Sequence, residues 1–266
     1  MGLASRVDEV RLRRNALFSR STLNGFGESA AGLLKRVLIA VALQPLAVGS
    51  INAMTNDDPL LAMLLVDKAE YRKTSGHDHF AWEADLWLGR DINKAWLKTE
   101  GENSEDRTEE AEVQLLYSRA LTTNWDVQVG WRHDFRPSPH RDWLAAGLRG
   151  VAPYHFDIDI AAFVGEQGRT AIRADVDYEI LFTQRLILVP EIELDWFGKS
   201  DPERVIGSGL STLELGLRLR YEIRREFAPY VGVNWWTKLG DTKDIARAVG
   251  DETKDLEIVL GLRLWF

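Results

Sequence analysis

The sequence predicts an all-β fold: an antiparallel transmembrane β-barrel of about twelve strands, with short periplasmic turns and longer extracellular loops. Three observations carry that expectation. From Asp57 onward the chain divides into segments of roughly 8–13 residues in which apolar and polar side chains alternate, the period of two that sets opposite faces of a strand. The breaks between segments alternate between tight turns and longer loops rich in charge, Gly and Ser. The face opposite each apolar row is crowded with carboxylates and guanidinium groups, which a polar lumen accepts and lipid does not.

The elements follow in order. The first segment, Ala62 to Tyr71, and the third, Lys94 to Gly101, alternate least clearly, and a ten-stranded barrel results if either is not a strand. Between them, Phe80, Trp82, Ala84, Leu86 and Leu88 form one outward row, and Ala111, Val113, Leu115 and Tyr117 form the fourth. Trp125, Val127, Val129 and Trp131 make a row capped by Trp at both ends, followed by Leu144, Ala146 and Leu148. Phe156 to Val164, Ile172 to Ile180, Leu186 to Trp196, Leu213 to Tyr221 and Phe227 to Trp235 repeat the pattern. The connections fall at 72–79, 90–93, 102–108, 121–124, 136–140, 151–155, 166–169, 182–185, 198–209, 223–226 and 237–253. An even strand count places both ends of the barrel on the periplasmic side.

The last strand carries the most information. Leu256, Ile258, Leu260, Leu262, Leu264 and Phe266 alternate with Glu257, Val259, Gly261, Arg263 and Trp265, so one face is continuously apolar. A strand that closes the chain on Phe resembles the C-terminal strand of bacterial outer-membrane barrels, in which the barrel assembly machinery reads the terminal aromatic. A soluble β-sandwich explains the alternation equally well. It does not explain this terminus, or the outward load of Trp, Leu and Ile.

Ahead of the barrel, residues 31–53 read as a secretory signal peptide. Lys35-Arg36 supply the positive region, Val37 to Val48 the apolar core, and Ala47-x-Gly49 or Ala53 the small residues of a cleavage site. The competing reading is a buried amphipathic helix. Residues 1–30, Arg-rich, form an N-terminal extension of unknown role or an over-long start, and residues 54–266 the outer-membrane barrel. Net charge is −8 with pI near 5.3, so no basic surface points to nucleic acid. Cysteine is absent, which excludes disulfides and thiolate metal sites. Mean hydropathy is −0.22 and no long uninterrupted apolar run occurs, which excludes a helical membrane protein. Ten Trp, ten Phe and six Tyr suit aromatic girdles facing outer-membrane lipid.

The inward faces hold the candidate chemistry. Glu83, Asp85, Trp87, Glu100, Arg132 and Asp134 are assigned to the lumen, where surplus carboxylate concentrates cations. The plainer reading of most such residues is that they pair with one another across strands. Strand parity gathers His77, His79, His133 and His140 at the extracellular end and leaves His155 on a periplasmic turn. Imidazole with carboxylate suits Cu(II), Zn(II) or Ni(II), so these four are the candidate metal contacts; Cu(I) has only Met54 and Met63 to choose from. Catalysis is not expected. Ser138 stands near His140 but in a Pro-Ser-Pro-His loop, and there is no HExxH and no Gly-rich phosphate loop.

A run of motifs in order then resembles one family. Asp58-Pro59-Leu60, Asp67 to Arg72, Trp82-Glu83, Trp87 to Gly89 and Asp91-x-Asn93-Lys94-x-Trp96-x-Lys98-x-Glu100-Gly101 open it. Gln114 to Arg119, Gly130-x-Arg132-x-Asp134, Trp143-x-x-x-Gly147-x-x-Gly150, Pro153-Tyr154, Arg173, Tyr178-Glu179 and Pro190-Glu191 continue it. Over residues 55–266 the chain resembles the copper-resistance protein B family (CopB/PcoB) of outer-membrane proteins. The resemblance implies copper resistance and homeostasis at the outer membrane of a Gram-negative cell, with copper bound or passed rather than used catalytically. A periplasmic copper-binding protein is the partner it implies. One departure is notable: many members carry a Met- and His-rich stretch before the barrel, whereas Ser50 to Asp57 holds one Met and no His. The alternative reading is a cation-biased, porin-like barrel without metal specificity.

Overall fold

The computed structural model describes residues 58–104 and 107–266. The N-terminal extension (1–30) and the signal-peptide segment (31–53) lie outside the described residues.

Each period-two segment forms a strand, and each strand pairs antiparallel with the next. In order they are β1 (Leu61–Lys73), β2 (His79–Gly89), β3 (Asn93–Ser104), β4 (Arg107–Ala120), β5 (Trp125–Arg136) and β6 (Arg141–Ala152). There follow β7 (Phe156–Gly165), β8 (Thr170–Tyr178), β9 (Leu186–Phe197), β10 (Gly209–Tyr221), β11 (Phe227–Lys238) and β12 (Lys254–Trp265). After Glu179, β8 is continued by Ile180–Leu181, which still pairs with β9. β12 pairs with β1, so the sheet closes on itself as a twelve-stranded barrel without free edges. Both segments with weak alternation are full strands.

Closure sorts the side chains. Leu144, Ile258 and Leu260 are 69%, 63% and 60% exposed although they sit mid-strand, because their strands turn them away from the interior. The outward rows form a continuous apolar band that only an apolar surrounding would cover. No helix among the described residues is long and apolar enough to cross a membrane. Aromatic rings mark both margins of the band: Trp82, Trp131, Trp196 and Trp235 toward the long-loop end, and Tyr117, Phe156, Tyr178, Tyr221 and Phe227 toward the turn end.

The short connections 90–92, 121–124, 153–155, 182–185 and 222–226 share one end. The other end carries 74–78, 137–140, 166–169, 198–208 and 239–253. The third loop is shorter than its sequence implies, because the ladder continues through Asn103↔Thr108 and Ser104↔Arg107. These residues are polar on both faces since the strands there project beyond the apolar band, where alternation has nothing to enforce it. The last loop holds α1 (Gly240–Val249), ended by Gly250 at φ 77, whose N–H caps Ala246 and Arg247 carbonyls.

β1 departs from strict alternation. Val66 faces Ala84 and Lys68 faces Glu83, so Asp67 is an extra residue, a β-bulge. The bulge turns both Asp67 and Lys68 inward, which is why alternation fails there in the sequence.

Candidate functional site: the charged interior

Two cavities occupy the lumen. One of about 310 Å³ opens toward the turn end, and one of about 650 Å³ opens toward the long loops. They meet at a layer lined on both sides by Lys68, Glu83, Glu100, Glu112 and Arg173. Here ion pairs run as chords across the barrel. Lys68 Nζ reaches Glu191 at 2.5 Å and Glu83 at 3.0 Å. Arg173 of β8 bonds Glu100 of β3 and lies 3.4 Å from Glu112 of β4. Below them Lys98 reaches Asp159 at 2.7 Å and Arg149 reaches Asp85 at 2.8 Å. One flank of the interior is apolar instead, with Trp87, Trp96, Leu116, Trp143 and Phe163 packed together.

The loop-side cavity carries twice as many carboxylates as Lys and Arg side chains, so its field favours cations. On the β1–β12 wall, Arg72 is nearly buried among Glu70, Glu102, Glu214 and Glu257, at 2.8, 3.3, 3.4 and 3.5 Å. Glu257 is 1% exposed, and its carboxylate accepts from Asn234 Nδ2 at 3.1 Å and Trp236 Nε1 at 2.9 Å. Nearer the constriction, Asp175, Glu191 and Glu193 each offer an oxygen within 4.8 Å of one another. Glu191, however, is already held by Lys68 and Arg218.

All six residues assigned to the lumen point inward. Glu83 and Glu100 belong to the constriction, and Asp85 is paired to Arg149. Trp87 belongs to the apolar flank, its ring 6.3 Å from that of Trp96. Arg132 bonds Asp134 at 2.7 Å and lies over Phe163. Asp134 also accepts from Trp143 Nε1 at 3.0 Å and from Arg204 at 2.7 Å, which ties the 198–208 loop into the lumen mouth.

The four histidines lie at the long-loop end, but the barrel wall divides them. His79 faces inward, and His77 lies on the rim of the same cavity. His133 faces outward from β5, stacked between Trp131 and His140 at ring separations of 5.5 and 5.9 Å, with its Nδ1 2.8 Å from Asp142. Strand parity by itself gives this split: position 133 shares the face of Trp131, and position 79 that of Glu83. The sequence reading missed Lys68, Glu70 and Arg72 as interior residues, because the bulge disguises β1; the spacing Glu70-x-Arg72 was the available signal.

Comparison with known proteins fixes the family. The model of "Copper resistance protein B precursor (CopB)" matches residues 60–266. A copper resistance protein B homolog of Pseudomonas syringae pv. tomato is 45% identical over 211 residues, covering 79% of this chain and 72% of that protein. Copper resistance protein B of Escherichia coli is 42% identical over 211 residues, covering 79% and 71%. Among solved structures the NanC porin is similar in fold, with TM-score 0.52 at 15% identity, over 76% of this chain and 98% of that one. A closed barrel with an acidic interior and these relatives lead to one statement: the chain belongs to the copper resistance protein B family.

Proposed function

We propose that this protein is a non-enzymatic outer-membrane barrel that binds copper ions in its interior, or passes them through it, as part of copper resistance. The single observation that carries the reading is the loop-side cavity, open to the loops and lined by carboxylates in twofold excess over cations, with two histidines at its wall and rim. Family membership supports the metal, and the fold supports the membrane. In this reading the long loops face outward and the turns face the periplasm. A periplasmic copper-binding protein would exchange ions at the turn end.

The test is copper tolerance of a Gram-negative host expressing the full chain, with the protein located by membrane fractionation. Tolerance altered only when the protein reaches the outer membrane supports the reading; tolerance equal to the empty vector at equal outer-membrane expression rejects it. A second reading, a barrel biased toward cations in general, draws on the acidic excess shared by both cavities. It expects K⁺ conductance in planar bilayers that micromolar copper does not block.

A further inference from the structure

Within the outer-membrane placement proposed above, on which this inference rests, we propose that a patch on two adjacent turns binds the headgroups of anionic phospholipid in the periplasmic leaflet. Even positions of β8 and odd positions of β10 face outward, and this parity runs on past Tyr178 and Tyr221 into the turns themselves. Phe182 and Ile223 continue the two rows at 60% and 52% exposed, with Leu181 beside Phe182. The turns 182–185 and 222–226 are neighbours because β9 pairs with β10, and Glu222 N–H donates to the Arg185 carbonyl at 2.8 Å. Large apolar side chains at the tips of tight turns gain nothing from water, whereas a membrane interface covers them.

Three guanidinium groups stand among these apolar residues, those of Arg185, Arg224 and Arg225. Arg225 lies 3.5 Å from Glu222, which is buried and also 4.0 Å from Arg220. Arg185 and Arg224 have no ion-pair partner among the described residues, and the hydrogen bonds they make are made by their backbone. The lumen differs: there Arg72, Arg149, Arg173 and Arg218 each bond a carboxylate. On the two turns Glu226 is the exposed carboxylate, so positive charge is left over. A guanidinium grips phosphate through paired N–H groups while its aliphatic stem lies along apolar surface, which is what a headgroup site requires. A zwitterionic headgroup brings an ammonium that competes with the arginines, so the patch selects an anionic one. An acidic soluble protein would meet the same charges, but it would not need Phe182 and Ile223 to extend the lipid-facing rows.

The experiment uses the full-length protein in detergent, offered phosphatidylglycerol or phosphatidylcholine, with bound lipid counted by native mass spectrometry. Wild type is compared with Arg185→Gln/Arg224→Gln and with a Lys73→Gln/Lys254→Gln control. The control removes the same charge from exposed, unpaired lysines at the long-loop end. Each protein is first shown to be folded by its heat-dependent mobility on gels. Wild type and the control should hold phosphatidylglycerol more tightly than phosphatidylcholine. A basic side chain at an anionic lipid surface is worth about fivefold, so the arginine variant should bind phosphatidylglycerol about tenfold or more weakly, with phosphatidylcholine unchanged. Equal affinity of wild type for the two lipids would overturn the site, and so would phosphatidylglycerol binding that the arginine variant leaves intact. If the variant then lowers the copper tolerance of cells, the patch serves an acidic soluble partner instead. Membrane fractionation separates the two levels. Outer-membrane location without lipid preference rejects the patch alone, whereas location elsewhere rejects the placement and the lipid site together.

Discussion

At Asp78, in the loop between β1 and β2, the Tyr71 hydroxyl donates to the carboxylate at 2.6 Å and holds its pKa below the ordinary range. A carboxyl depressed in the folded state contributes stability above its unfolded pKa and loses it as pH falls through the folded value. Tyr71→Phe should therefore raise the Asp78 titration midpoint, read by carboxyl carbon NMR, and loosen this loop at neutral pH, a difference from wild type that disappears on acidification. Gly261 is a second residue with a definite role. A Cβ there would lie 2.4 Å from Tyr230 Cζ, and Tyr230 donates to Glu70 at 3.0 Å inside the barrel. Gly261→Val should displace the ring, break that bond and destabilise the barrel by about 1–3 kcal/mol in urea unfolding. A change below a few tenths of a kcal/mol would mean that the ring has room to move.

The strand is the scale at which the sequence was most legible. Ile160 is 43% exposed while Phe163, three residues further along the same strand, is 1% exposed, an assignment that parity alone makes. Ile160→Arg, placing a cation against lipid, should cost about 2–4 kcal/mol and reduce the yield of folded barrel, whereas Ala161→Ser, facing in, should be tolerated. Refolding into lipid vesicles, followed by gel mobility, distinguishes the two. Legibility fails where the period of two is broken or unenforced. The bulge at Asp67 hid the interior charges of β1, and the polar extension of β3 and β4 past the apolar band looked like a loop. The site was legible only in part. Parity assigns each side chain to a face, so Glu83, Glu100 and Asp134 could be placed in the lumen. Which inward residues meet across it depends on barrel diameter and stagger, and no local pattern encodes those. That is why His79 could be named, but not Glu257 as its neighbour.

Over the whole molecule, the two cavities meet at a single layer of paired charge. Lys68 is the cation that joins Glu83 of β2 to Glu191 of β9 at that layer. Lys68→Met should widen the passage and leave two carboxylates facing it, so single-channel conductance and cation selectivity should both rise in planar bilayers. Unchanged conductance would place the resistance elsewhere, at the Arg204–Asp134 tie in the mouth. The chords have a mechanical consequence as well. A hollow cylinder with a thin wall yields most easily by flattening into an ellipse, since that mode bends the wall without stretching it. Lys68–Glu191, Lys98–Asp159, Arg149–Asp85 and Arg173–Glu100 join strands several places apart around the circumference, and so act as spokes. Flattening the section must lengthen some of them, which turns a soft deformation into a stiff one. The paired interior charge thus keeps the cross-section round under lateral pressure from the bilayer.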